Sequence, residues 1–87
     1  MKIKEGFILR EVAGQYIVVP FGDRAVDFNG IINLNETAKF LWELSVKEIN
    51  TESLVTALIG EYEIDNITAE NAVNNFIQQM KEADLVE

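Results

Sequence analysis

The sequence has no cysteine, no histidine and a single proline, Pro20. Without cysteine there is no disulfide staple, no thiolate nucleophile and no zinc–thiolate site, and the redox compartment cannot be read from thiol usage. Without histidine the commonest general base and metal ligand is missing. Long apolar runs are lacking too. The longest is Tyr16 to Val19, or Tyr16 to Phe21 with Pro20 counted, far short of the ~20 residues a membrane helix needs. The opening Met1-Lys2-Ile3-Lys4-Glu5 has none of the apolar stretch of a signal peptide. A soluble cytoplasmic protein with no membrane partner is expected.

Positive charge is scarce: 7 Lys and Arg stand against 15 Asp and Glu, a formal net charge of −8. The imbalance is uneven. Residues 1–50 hold six basic and seven acidic groups, whereas residues 51–87 hold eight acidic groups and one basic group, Lys81. A phosphate backbone is repelled by that second half, so no nucleic-acid partner is expected.

What is present is an ordinary globular composition, 48% hydrophobic over 87 residues, which reads as one domain spanning 1–87. Area scaling gives a folded surface of about 5,000 Å², enough for one modest core but not for a deep substrate cavity as well.

The first third reads as strands. Phe7, Leu9 and Glu11 alternate with Ile8, Arg10 and Val12, and Ala13-Gly14 follows as a turn. Tyr16-Ile17-Val18-Val19 is aromatic and β-branched, as a pleated surface prefers, and Pro20 and Gly22-Asp23 punctuate it. Ala25-Val26-Asp27-Phe28, then Asn29-Gly30, then Ile31-Ile32-Asn33-Leu34 carry the strongest short hairpin signal, because both central residues of a type I′ turn need positive φ. Three or four short antiparallel strands in a small meander are expected.

The remainder reads as three helices. Asn35 is an N-cap and Glu36 suits the positive first turn of a helix over Glu36 to Ser45, with Ala38, Phe40, Leu41 and Leu44 at helical spacing and Trp42 on a flank, a core or core-rim residue. Thr51 caps a second helix striped by Leu54, Val55, Leu58, Ile59 and Tyr62, within which Gly60 marks close packing. Thr68 caps a third, with Val73, Phe76, Ile77 and Met80 as its buried stripe and Leu85-Val86 as a short apolar tail. A β-meander followed by helices is an α+β arrangement, helices on one face of an antiparallel sheet. It is also the layout of a winged helix-turn-helix.

No constellation builds an active site. Asp65 to Glu70 resembles the start of a calcium loop, but Glu70 stands where Gly is required and Phe76 where the closing Glu is required. Glu61/Glu63 and Glu82/Asp84 lie on polar helix faces or ends, where solvation keeps a carboxylate ordinary. Gly22 and Gly30 belong to turns, not to a phosphate-binding motif. Ser53 follows Glu52, not the Asp of a carrier-domain serine. A non-catalytic protein without cofactor or metal is expected.

Two binding features remain. Ile31 to Leu34 contains no Lys and no Pro, the residues that usually blunt a sheet edge, so an extended peptide can add there as a further strand. The third helix is rich in amides (Asn71, Asn74, Asn75, Gln78, Gln79), a face that is either simply solvated or able to pair with exposed backbone without the desolvation cost of a charge.

The segment Leu34-Asn35-Glu36-Thr37-Ala38 followed by Leu41-Trp42-Glu43-Leu44 resembles the PqqD-like family, named for coenzyme PQQ (pyrroloquinoline quinone) synthesis protein D. Its hallmark is a strand ending in Leu-Asn, then Glu/Ser-Thr/Ala, a small residue and an aliphatic-Trp-x-Leu segment. The resemblance continues through Leu54-Val55-x-x-Leu58, Glu61 to Ile64 and Phe76-Ile77-x-x-Met80, covering about residues 5 to 87. It implies a recognition element for ribosomally made, modified peptides, in which the precursor's leader adds beside the third strand and lies against the third helix. The partners it implies are that leader peptide and a radical SAM or other peptide-modifying enzyme. Carried onto this chain, the receiving segment is Gly30, Ile31, Ile32, Asn33 and Leu34, and the groove wall is Ala72, Asn75, Phe76, Gln79 and Met80. The competing readings are a winged-helix DNA-binding regulator, which the acidic second half disfavours, and a structural adaptor forming a homodimer through the same edge.

Overall fold

The structure, a computed structural model, describes residues 1–27 and 30–87. Strands β1 (Phe7–Val12) and β2 (Gln15–Pro20) form a hairpin about Ala13-Gly14, both at positive φ (52° and 79°), the conformation whose twist suits right-twisted strands. A two-residue loop makes its flanking residues, Val12 and Gln15, a hydrogen-bonded pair. The ladder alternates from there. The backbone groups of Gln15, Ile17 and Val19 turn toward β1, and those of Tyr16 and Val18 turn away from it.

Strand β3 (Ile32–Leu34) pairs antiparallel with β2, in the sheet order β1-β2-β3. Ile32 meets Val18 and Leu34 meets Tyr16, so these two residues direct their N–H and C=O groups at β2; Asn33, opposite Ile17, directs both outward. That parity follows from the length of the first hairpin loop.

Between β2 and β3 the expected strand Ala25–Phe28 is replaced. Residues Arg24–Asp27 form a short helix, α1, begun by a bond from Ala25 N–H to the Gly22 carbonyl (3.1 Å). Arg24 secures it to the sheet: its Nε donates to the Glu5 carbonyl (3.0 Å) and its guanidinium lies 5.9 Å from the Phe7 ring centre. Phe28 and Asn29, and with them the expected Asn29-Gly30 turn, lie outside the described residues. Ile31 precedes β3, so the strand is one residue shorter than expected.

Three helices follow. In α2 (Glu36–Ser45), Asn35 Oδ1 accepts from Ala38 N–H (2.8 Å), the expected cap. The cap of α3 (Thr51–Tyr62) is Asn50, whose Oδ1 accepts from Ser53 N–H (2.7 Å), and that of α4 (Asn66–Glu82) is Asp65, which accepts from Thr68 N–H (2.7 Å). Thr51 and Thr68 are therefore inside their helices, not caps. A shorter Asn or Asp just upstream reaches the free N–H groups better than a β-branched Thr. Gly60 has no heavy atom within 4 Å of where a Cβ would stand, so it marks no close approach.

The core lies between the sheet and the helices. Val18 and Leu34 bring the inner sheet face to Leu41 and Trp42 of α2, Leu54 and Leu58 of α3, and Val73, Phe76 and Met80 of α4, all buried. One helix terminus is sealed inside: Ser45, fully buried, donates its hydroxyl to the Leu41 carbonyl (2.8 Å). Near the ends Ile3 and Val86 form an isolated antiparallel bridge, Lys4 N–H donates to the Leu85 carbonyl (2.8 Å), and Leu85 is fully buried. Among the described residues no helix is long and apolar enough to cross a membrane.

Candidate functional site

β3 is an edge strand of the sheet, and of its residues only Asn33 offers backbone groups to that edge. The edge is not bare. Gln79, from α4, donates its side-chain Nε2–H to the Asn33 carbonyl (3.1 Å). The next residue along with the same outward parity is Asn35, whose backbone is still extended (φ −78°, ψ 176°). Its carbonyl is taken by Lys39 N–H (2.9 Å) in the first turn of α2, so the edge stops there.

Two concavities flank this line. One, of about 200 Å³, is lined by Asn35, Thr37, Ala38, Ala72, Asn75, Phe76 and Gln79. Small side chains on α2 and α4 leave the space, and the Phe76 ring closes it. The other, of about 750 Å³ and open to solvent, is lined by the hairpin residues Gly14, Gln15 and Tyr16 together with Asn33, Leu34, Asn35, Glu36 and Gln79. Gln79 and Asn35 belong to both.

The expected site residues are thus distributed as follows. Gly30 (φ 109°) and Ile31 (57% exposed) lead into β3; Asn33 is exposed, Ile32 half-buried and Leu34 buried in the core. Ala72, Asn75, Phe76 and Gln79 line the smaller concavity together. Met80 does not join them: it is fully buried in the core. The hairpin residues and the first turn of α2 were not anticipated as lining. Asn35 could be recognised as a cap, but nothing in the sequence brings Gly14 to Tyr16 beside it.

The lip of the groove is acidic. Lys39 lies 5.2 Å from the Tyr16 ring centre and 3.5 Å from Glu43; the Glu43 carboxylate is the chief influence raising the Lys39 pKa, so this cation is already answered. Tyr62, its ring edge-to-face with Phe40 at 5.8 Å, has its phenol pushed upward by burial and then by Glu36 and Glu61. Glu36 itself lines the larger concavity at the N-terminus of α2.

Elsewhere, a concavity of about 430 Å³ opens between the starts of α3 and α4, lined by Thr51, Glu52, Val55, Thr56, Asn66, Glu70 and Asn74. Among the described residues no cluster of three or more His, Cys, Asp or Glu is placed to hold a metal ion. The carboxylates at the start of α4 are otherwise engaged: Asp65 caps the helix and Glu70 accepts from Asn66 (2.6 Å).

The family model for coenzyme PQQ synthesis protein D (PqqD) matches residues 16–86, from within β2 through α4 to Val86. The chain belongs to the PqqD family. β1 lies outside the matched segment of this PqqD-family chain. A solved structure described as "TbiB1 in Complex with the TbiA(beta) Leader Peptide" has the same fold, with a TM-score of 0.75 and 20% identity, covering 100% of this chain and 95% of that one. No curated protein sequence matches.

Proposed function

We propose that this PqqD-family chain, acting as one domain, is a non-catalytic peptide-recognition element that binds the leader of a ribosomally made precursor by strand addition to β3. It would hold that precursor, in the cytoplasm where it is made, for a peptide-modifying enzyme such as a radical SAM protein. The observation that carries the reading is the outward-turned N–H and C=O of Asn33 beside a groove walled by α4. Membership of the PqqD family and the leader peptide named in the TbiB1 complex support it.

Magnitudes divide the labour between backbone and side chains. An added strand makes new bonds with the Asn33 N–H and the Asn35 N–H, each netting ~0.5–1.5 kcal/mol, and exchanges the Gln79 bond at the Asn33 carbonyl for its own. Together that is about 1–3 kcal/mol, whereas a micromolar dissociation constant needs about 8 kcal/mol. Side chains must supply the rest. Guest residues on either side of the one paired with Asn33 point to the inner face of the sheet. One of them meets the space of about 200 Å³ closed by Phe76, and burying one aliphatic side chain contributes about 1.5–3 kcal/mol. Backbone pairing alone is too weak, so the guest's inward side chains carry most of the affinity and fix the register. The net charge of −8 suits a leader or an enzyme with basic patches.

Titration of the 15N-labelled chain with the precursor peptide of its own pathway tests the reading. Amides of residues 30–35 and 71–80 should shift. Binding that leaves both segments unshifted would overturn the site assignment, and self-association without any response to peptide would favour a structural adaptor.

A further inference from the structure

We propose that Gln79 is a placeholder for the guest strand, its side-chain amide holding, in the free chain, the position at the Asn33 carbonyl that a bound peptide's N–H takes over. The inference rests on reading the β3 edge as the peptide-binding edge, and it adds a residue that sets how readily that edge is entered.

The geometry is specific. A strand added to β3 must put an N–H about 2.9 Å from the outward Asn33 carbonyl and its own backbone about 4.8 Å from β3. Gln79 Nε2 stands 3.1 Å from that oxygen, inside the space the new strand needs. Two other amides of α4 bond within their own helix: Gln78 donates to Glu82 (2.9 Å) and Asn66 to Glu70 (2.6 Å). Gln79 instead crosses to the sheet and lines both concavities, so its side chain bars the groove where a guest must lie.

Two consequences follow for the free chain. The only outward carbonyl of β3 is answered, so the edge is blunted against chance pairing without a Lys or a Pro. The cap is also cheap to remove, because it is a single neutral bond at an exposed position and a side chain changes rotamer within nanoseconds. A guest N–H then replaces like with like, and Gln79 swings aside to join the two concavities into one groove. Since the bond exists only before binding, it opposes association and leaves dissociation untouched.

Gln79→Met keeps the length and the apolar stem and removes the donor. The probe is a peptide selected by display from a randomised library on the full wild-type chain and shown by NMR to perturb residues 30–35. The expected result by surface plasmon resonance is an association rate raised about two- to tenfold with an unchanged dissociation rate. In the free wild-type chain one Gln79 side-chain amide proton should be shifted downfield, and saturation with the peptide should return it to the position of a solvated glutamine. An unchanged association rate, or a faster dissociation showing that Gln79 grips the guest or merely braces β3, overturns the placeholder while leaving the edge intact. So does a Gln79 amide that already looks solvated in the free chain. Selected peptides that bind only elsewhere overturn the reading of the edge, and the placeholder with it.

Discussion

The orientation of Asn33 is open to a sharp test by proline. Asn33→Pro removes an N–H that points away from β2, so no ladder bond is lost. The preceding Ile32 is already extended, as a residue before proline prefers. The substitution should change stability by no more than about 1 kcal/mol. Ile32→Pro, one residue earlier, removes a donor that faces Val18, which is fully buried. That costs about 0.5–1.5 kcal/mol for the bond and about 1–3 kcal/mol for the partner left unpaired, and it deletes a half-buried aliphatic side chain as well. A loss of about 3–5 kcal/mol is expected, most of what a domain of this size possesses. Urea unfolding followed by Trp42 emission reads both variants, since Trp42 is the chain's one tryptophan and only 3% exposed. Peptide binding should invert the order of tolerance. In Asn33→Pro a guest carbonyl loses its donor and meets the pyrrolidine ring, so affinity should fall about tenfold or more, whereas the exposed Lys47→Ala should leave it unchanged. If Asn33→Pro unfolds as readily as Ile32→Pro, the parity derived from the hairpin is wrong. If it is stable and binds peptide like the wild type, strand addition at β3 is wrong.

Other outcomes follow from the packing and the caps. Leu58→Ala, at a fully buried position, should cost about 2–5 kcal/mol in urea unfolding. Gly60→Ala should stabilise by about 0.4–1 kcal/mol, because the glycine lies in α3 with open space around it. Asn50→Ala removes the α3 cap, and about 1 kcal/mol lost should lower Tm by about 4–8 °C. Asp65 has its pKa lowered by its bond to Thr68, so its folded value lies below its unfolded one. The stability it confers is present above the unfolded carboxyl range near ~3.9 and is lost as pH falls through the folded value. Asp65→Asn, which keeps the capping oxygen, should flatten the acid limb of a stability–pH curve below about pH 4, and an unchanged limb would contradict the assignment.

Helix α2 could be read from the sequence to both of its ends, since an Asn cap, an acidic first turn and a regular apolar stripe all agree there. The starts of α3 and α4 could not, because each offers more than one polar residue able to cap: Asn50 and Thr51 in one, Asp65, Asn66 and Thr68 in the other. The residues around Ala25 were the poorest guide: four residues cannot show whether their period is that of a strand or of a helix, and the choice falls to Arg24, whose partners Glu5 and Phe7 are distant in sequence. At the groove, a β3 segment free of Lys and Pro and an amide-rich helix were both legible. Which amide meets which carbonyl was not, because it depends on hairpin parity and on how far along β3 the helix passes. The same limit put Met80 on the expected wall: spacing alone does not separate a residue lining a groove from one buried in the core.

The pairing of Ile3 with Val86 has a consequence for how the chain matures at the ribosome. Leu85 fills the core and Val86 pairs with Ile3, so Ile3 stays unpaired until Val86 has been made. At about 5–20 residues per second, a nascent hairpin then spends several seconds with its inner face unfilled. During that interval α4 is not seated, and the outward edge of Asn33 stands without the helix that flanks it. On the reading proposed above, a guest strand finds its groove only once translation has passed Val86.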